Sequence, residues 1–144
     1  MTMKSSVKDE EIRKMSTEIS RKLLSDLSIK GSEHCDIIID EYLRSSDKVD
    51  LKNTPQRNGF IDIGMLILSE IPKALICGIV VEVTKYYFRE LYHNISDMSK
   101  GEKVETLSSK FSDEAIKMGL TPTQAEKLAS RFTEVLIVNP FLNP

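Results

Sequence analysis

From residue 60 to residue 93 the chain reads FIDIGMLILSEIPKALICGIVVEVTKYYFRELYH, its densest apolar run and the one that holds its adjacent aromatic pairs. Any fold must cover this stretch, so its conformation limits everything else. A membrane span is the first possibility to test. Asp62, Glu70 and Lys73 interrupt the run, and Glu82 follows. The longest charge-free pieces are 63–69 and 74–81, seven and eight residues, whereas a spanning helix needs about 20 mostly apolar residues. The stretch therefore reads as core.

Its β-branched and aromatic content, GIVVEVTKYYF, would also suit a strand. The polar positions argue otherwise. Glu82, Lys85, Arg89 and His93 are spaced by three, four and four, while Ile76, Ile79, Val80, Val83, Tyr87 and Leu91 line another face. A helical period kept for about 20 residues exceeds ordinary strand length. Pro72 suits a first helical turn, where a missing N–H costs nothing. The expected element is a helical pair broken at Pro72, with a central apolar helix over about 72–93. Val81 and Phe88 lie off the main stripe, so this helix is apolar on more than one side and fits the middle of a bundle or a subunit contact.

The remaining elements also carry helical period. Ile12, Met15, Ile19, Leu23 and Leu27 draw one stripe along a helix over 6–30, with Asp9, Glu10 and Glu11 near its positive end and Gly31 as its stop. Ser32 can cap a second helix over 33–45, which carries Ile37, Ile38, Ile39, Tyr42 and Leu43, although CDIIID alone could be a short strand. Residues 45–59 are polar, with Asn53, Pro55, Asn58 and Gly59, and read as a long loop. Val104, Leu107, Phe111 and Ala115 mark a helix over 102–118 that closes on Gly119. Thr121, Pro122 and Gln124 form a start signal of cap, first-turn proline and capping-box partner, ahead of Ala125, Leu128, Phe132 and Val135. The end of the chain, 138–144, is an apolar tail punctuated by two Asn-Pro steps. The expectation is all-α: a single domain, 1–144, of five or six helices around the central one.

Charge narrows the partners. The formal net charge is −2, and it is evenly spread: eleven basic and eleven acidic residues in 1–59, four and five in 60–100, five and six in 101–144. No segment has the positive field that a phosphate backbone rewards. Cys35 and Cys77 sit beside apolar residues and do not make a disulfide scaffold, which points to a reducing, cytoplasmic setting. The amino terminus lacks the apolar core of a signal peptide.

Four constellations could carry chemistry. Residues 115–128, AIKMGLTPTQAEKL, copy the spacing of a helix-turn-helix. Such a hairpin at 111–132 would offer Thr123, Gln124, Lys127 and Arg131 to base edges, against the charge of Glu126 and Glu134. Glu90 and His93 have the Glu-x-x-His spacing of carboxylate-bridged metal sites, with Glu33, Asp36 and Asp40 as further oxygens, but no second Glu-x-x-His exists. A nucleophilic cysteine needs a histidine base, yet His34 and Cys35 are adjacent and point about 100° apart on a helix. Lys85, Arg89 and the aromatics between them could stack bases or meet a bilayer interface, and the plain reading packs Tyr87 inward and leaves the cations wet. No metal, cofactor or enzymatic activity is expected.

Surplus apolar surface is the more usable signal, because it ordinarily means a partner. The expectation is a non-enzymatic helical protein–protein interaction module, self-associating or a small subunit or adaptor of a larger assembly. Val81, Phe88, Phe141 and Leu142 are its candidate partner-binding residues. The alternative is a small nucleic-acid-binding protein that uses the 111–132 hairpin.

Overall fold

The structure, a computed structural model, describes residues 2–44, 67–91 and 99–139. Among the described residues five α-helices form: α1 (Thr2–Asp26), α2 (Cys35–Arg44), α3 (Lys73–Tyr86), α4 (Lys100–Lys117) and α5 (Pro122–Ile137). Short 3-10 turns precede α2 (Ser32–His34) and α3 (Leu68–Glu70), and α3 runs on into one π turn, Tyr87–Leu91. No strand occurs among the described residues, so CDIIID is helical. The fold is an all-α bundle. The expected loop at 45–59 lies outside the described residues, as do His93 and most of the apolar tail.

The α1 and α3 helices form the axis of the bundle. Against them, α2 packs on both, α4 packs on α3, and α5 packs on α1 and α4. The expected stripes all face inward: Ile12, Met15, Ile19, Leu23 and Leu27 from α1 and its end, Val104, Leu107, Phe111 and Ala115 from α4, and Ala125, Leu128, Phe132 and Val135 from α5. Each fully buried side chain of this size contributes about 1.5–3 kcal/mol. The third helix is buried on all sides, from Leu75 through Val81 without a break, and again at Val83 and Thr84. It is the central helix that the sequence implies. Pro72 is its N-cap rather than its first residue, and the Pro72 carbonyl accepts from Leu75 and Ile76.

The helix ends show why the turns fall where they do. α1 closes before Gly31, because Ser28 takes a left-handed conformation, φ 62°. Ser28 N–H donates to Ser25 and Ile29 N–H to Leu24, the paired bonds of a Schellman end. Gly31, expected as the stop, instead opens the following 3-10 turn, where His34 N–H donates to its carbonyl. Gly119, φ 115°, closes α4 as expected, and Leu120 N–H reaches back to Ala115. A serine in the left-handed region carries a steric cost that glycine avoids. Ser28→Gly is therefore expected to stabilise the protein by about 0.5–1 kcal/mol. A urea midpoint that falls in this variant would contradict the assigned turn.

Thr121 and Gln124 form a full capping box at the start of α5. Ser99 and Glu102 form a second at the start of α4, which begins at Lys100 rather than 102. That Ser-x-x-Glu signal is present in the sequence and sets the start two residues ahead of 102.

Candidate interaction surface

The last two helices lie antiparallel along their whole length. From the open end inward, Lys100 Nζ donates to the Ile137 carbonyl (2.7 Å), Ser108 meets Thr133 through their hydroxyls, and Phe111 stacks on Phe132 with centroids 4.4 Å apart. The Thr121 cap holds the closed end. Lys100 places a cation at the C-terminus of α5, where the helix dipole favours it.

Small side chains leave space between the helices at the open end. Gly101, Ser108 and Thr133 combine with Val104, Glu105, Lys100 and Ile137 to line a cleft of about 560 Å³. A Cβ added at Gly101 would meet only Ser99 Oγ, at 3.9 Å, so the cleft has room there. Beside it Ile137 is 47% exposed and Val138 is 64% exposed. The cleft and these two residues make one apolar patch where α5 ends.

This patch is not the one expected. Val81 is fully buried and Phe88 is 6% exposed, so neither belongs to a free surface. The chain covers Val81 by surrounding α3 with α1, α2 and α4. In the π turn the adjacent rings Tyr87 and Phe88 are both enclosed, edge to face at 5.1 Å. Phe141 and Leu142 lie outside the described residues.

The four residues considered for base contacts are not presented together. Thr123 and Lys127 are exposed, as are Glu126 and Glu134 on the same helix. Gln124 is buried, and its side chain accepts from Thr121 N–H (3.0 Å). Arg131 pairs with Asp26 across α1 (3.2 Å). A helix-turn-helix crosses its two helices at roughly 90–120°, whereas α4 and α5 stay in register from Lys100–Ile137 to the turn.

The residues considered for metal and nucleophile chemistry are spread out among the described residues. His34 is exposed beside Glu33 (4.0 Å), Asp40 pairs with Arg13 (3.5 Å), and Asp36 accepts from Ile37 N–H (2.9 Å). His93 and the Glu90 side chain lie outside the described residues. Among the described residues no three His, Cys, Asp or Glu groups are placed to hold a metal ion.

The Lys85 to Arg89 segment is turned toward α2. Tyr42 donates to Glu82 (2.9 Å), and Lys85 approaches the same carboxylate (3.6 Å) while lying 5.8 Å from the Tyr42 ring centroid. Burial, with Glu82 beside it, pushes the Tyr42 phenol well above its ordinary range. On α4 the buried carboxylate of Glu114 is met by Lys110 (3.0 Å) and Lys117 (3.5 Å). The hydrogen bond to Glu114 raises the Lys110 ammonium. Among the described residues no helix is long and apolar enough to cross a membrane.

No protein-family model matches this chain, and neither characterised proteins nor solved structures offer a match.

Proposed function

We propose that the protein is a non-enzymatic helical interaction module that docks an amphipathic helix of a partner protein in the α4–α5 cleft. The observation that carries this reading is the coincidence of an apolar cleft with solvent-exposed Ile137 and Val138 at its rim. Two antiparallel helices with a gap between them offer the groove into which a third helix lays its apolar face. The size of the cleft favours a single segment over a globular surface. Seven residues line it, against roughly 20–30 a side in a standard interface. This favours the reading as a small subunit or adaptor over the pairing of two copies.

Selection of helical peptides from a displayed library on the full chain tests the proposal. The selected peptides should carry apolar residues three and four positions apart. Binding should weaken at least tenfold, about 1.4 kcal/mol, in Gly101→Leu, which fills the cleft, and in Ile137→Glu, which charges its rim. Gly101→Leu should keep its fold, since leucine favours a helix more than glycine does. Peptides that bind both variants as well as the parent chain would refute the assignment of the cleft. Light scattering of the free chain separates the pairing reading, which requires a concentration-dependent dimer lost in Ile137→Glu.

A further inference from the structure

The charges along the α4–α5 cleft limit what could lie in it. Two of the residues that line it are charged, Lys100 at the open end and Glu105 further in. They stand five residues apart on α4, about 7.5 Å along its axis. The Lys100 ammonium is fixed by its bond to the Ile137 carbonyl (2.7 Å). Glu105 is exposed and, among the described residues, has no hydrogen bond or ion pair.

A second carboxylate stands at the same level. Lys100 reaches Ile137 and Ser108 meets Thr133, so the antiparallel register sets Glu105 level with Glu134. Glu134 lies between Thr133 and Ile137, the two residues through which α5 lines the cleft. It too is exposed and, among the described residues, without an ion pair. The cations nearest in sequence do not neutralise the two. Arg131 is held by Asp26 (3.2 Å), and Lys110 by Glu114 (3.0 Å). Lys103 is two residues from Glu105, a spacing that points side chains apart on a helix. Beside an apolar groove, two uncompensated carboxylates favour an incoming cation and repel an incoming acid.

We infer that the helix docked in this cleft carries a lysine or arginine that meets Glu105, and an acidic residue one turn away that meets Lys100. The inference rests on the docking reading and sharpens it, because it states the partner's charge as well as its apolar face. Two side chains four residues apart on the partner stand about 6 Å apart along its axis, close to the separation of Lys100 and Glu105. The apolar anchors supply most of the affinity, since an ion pair at an exposed rim contributes little. The charges supply choice: they set the partner's register in the groove and turn away an acidic amphipathic helix. Glu134 adds to the same field from the α5 side.

The test screens a displayed library of helical peptides, leucines fixed at spacings of three and four and the flanking positions randomised. The targets are the full parent chain and the full chain carrying Glu105→Lys and Glu134→Lys. The expected result is a basic residue enriched at one flanking position on the parent chain, and an acidic residue at that position on the variant. One selected peptide, and a copy with its basic residue changed to glutamate, are then measured against both chains. Each mismatched pair should bind about three- to fivefold more weakly than the matched pairs, and the gap should narrow in high salt. Both substituted positions are exposed, so the helix circular dichroism of the variant should equal that of the parent chain. Peptides enriched without regard to charge, or the same basic residue enriched on the variant, would overturn the inference. The docking reading would survive that result if Gly101→Leu still weakened the same peptides tenfold. Peptides indifferent to Gly101→Leu would overturn both.

Discussion

Phe111→Ala is expected to remove about 3–5 kcal/mol of stability, the largest loss from any single truncation proposed for this chain. Phe111 is fully buried in α4 and stacks on Phe132 of α5, with 4.4 Å between centroids and 25° between planes. Alanine there loses the transfer free energy of the ring and leaves a cavity that two helices held in register at both ends cannot close. The Lys100–Ile137 bond and the Thr121 cap fix those ends. A domain of ordinary stability has only about 5–15 kcal/mol to lose, so the variant should be partly unfolded at moderate urea. Phe111→Leu fills much of the space and should cost about half as much. A double-mutant cycle with Phe132 should return a coupling of about 0.5–1.5 kcal/mol for the ring pair. Urea unfolding followed by helix circular dichroism measures all three. A Phe111→Ala loss below about 1 kcal/mol would mean that the hairpin collapses freely around the gap.

The residues of that hairpin were readable because helical period, a capping box and a closing glycine are local patterns. Phe111 and Phe132 belong to stripes spaced by three and four, and Thr121, Pro122 and Gln124 mark a start whatever lies elsewhere in the fold. That the third helix is apolar on more than one side was also legible, because Val81 and Phe88 lie off its main stripe. What local pattern cannot give is the source of the cover. Val81 and Phe88 look surplus from sequence, yet both are buried, and three neighbouring helices surround the helix that carries Val81. The same limit hid the cleft, since Gly101 and Thr133 are far apart in sequence and meet only once α4 and α5 align. Cys35 and Cys77 were readable as small core residues, and both are free and buried. Ser28 was missed for another reason. Glycine is the stronger left-handed signal, so Gly31 drew the boundary that serine occupies.

Gly78→Leu should detach α2 from the bundle at a cost of about 3–5 kcal/mol, from overpacking of about 1–3 and the loss of a hydrogen bond to a charged group worth about 1.5–3. Glycine is a poor helix residue, about 1 kcal/mol worse than alanine, yet it stands in the fully buried part of α3. The Tyr42 ring explains it. Its Cε2 lies 2.9 Å from where a Cβ would be, and Cδ2 and Cζ lie at 3.5 Å. The ring cannot swing away freely, because its hydroxyl is bonded to Glu82 (2.9 Å) and its body is buried. Gly78→Ala should therefore come out within about 1 kcal/mol of the parent chain, as helix propensity offsets a small displacement of the ring. Leucine has no such offset. Amide exchange should separate a local effect from a global one: protection over α2 falls well before protection over α4 and α5, as expected when one short helix opens by itself. Unchanged exchange over α2 in the leucine variant would show that Tyr42 does not hold α2 against α3.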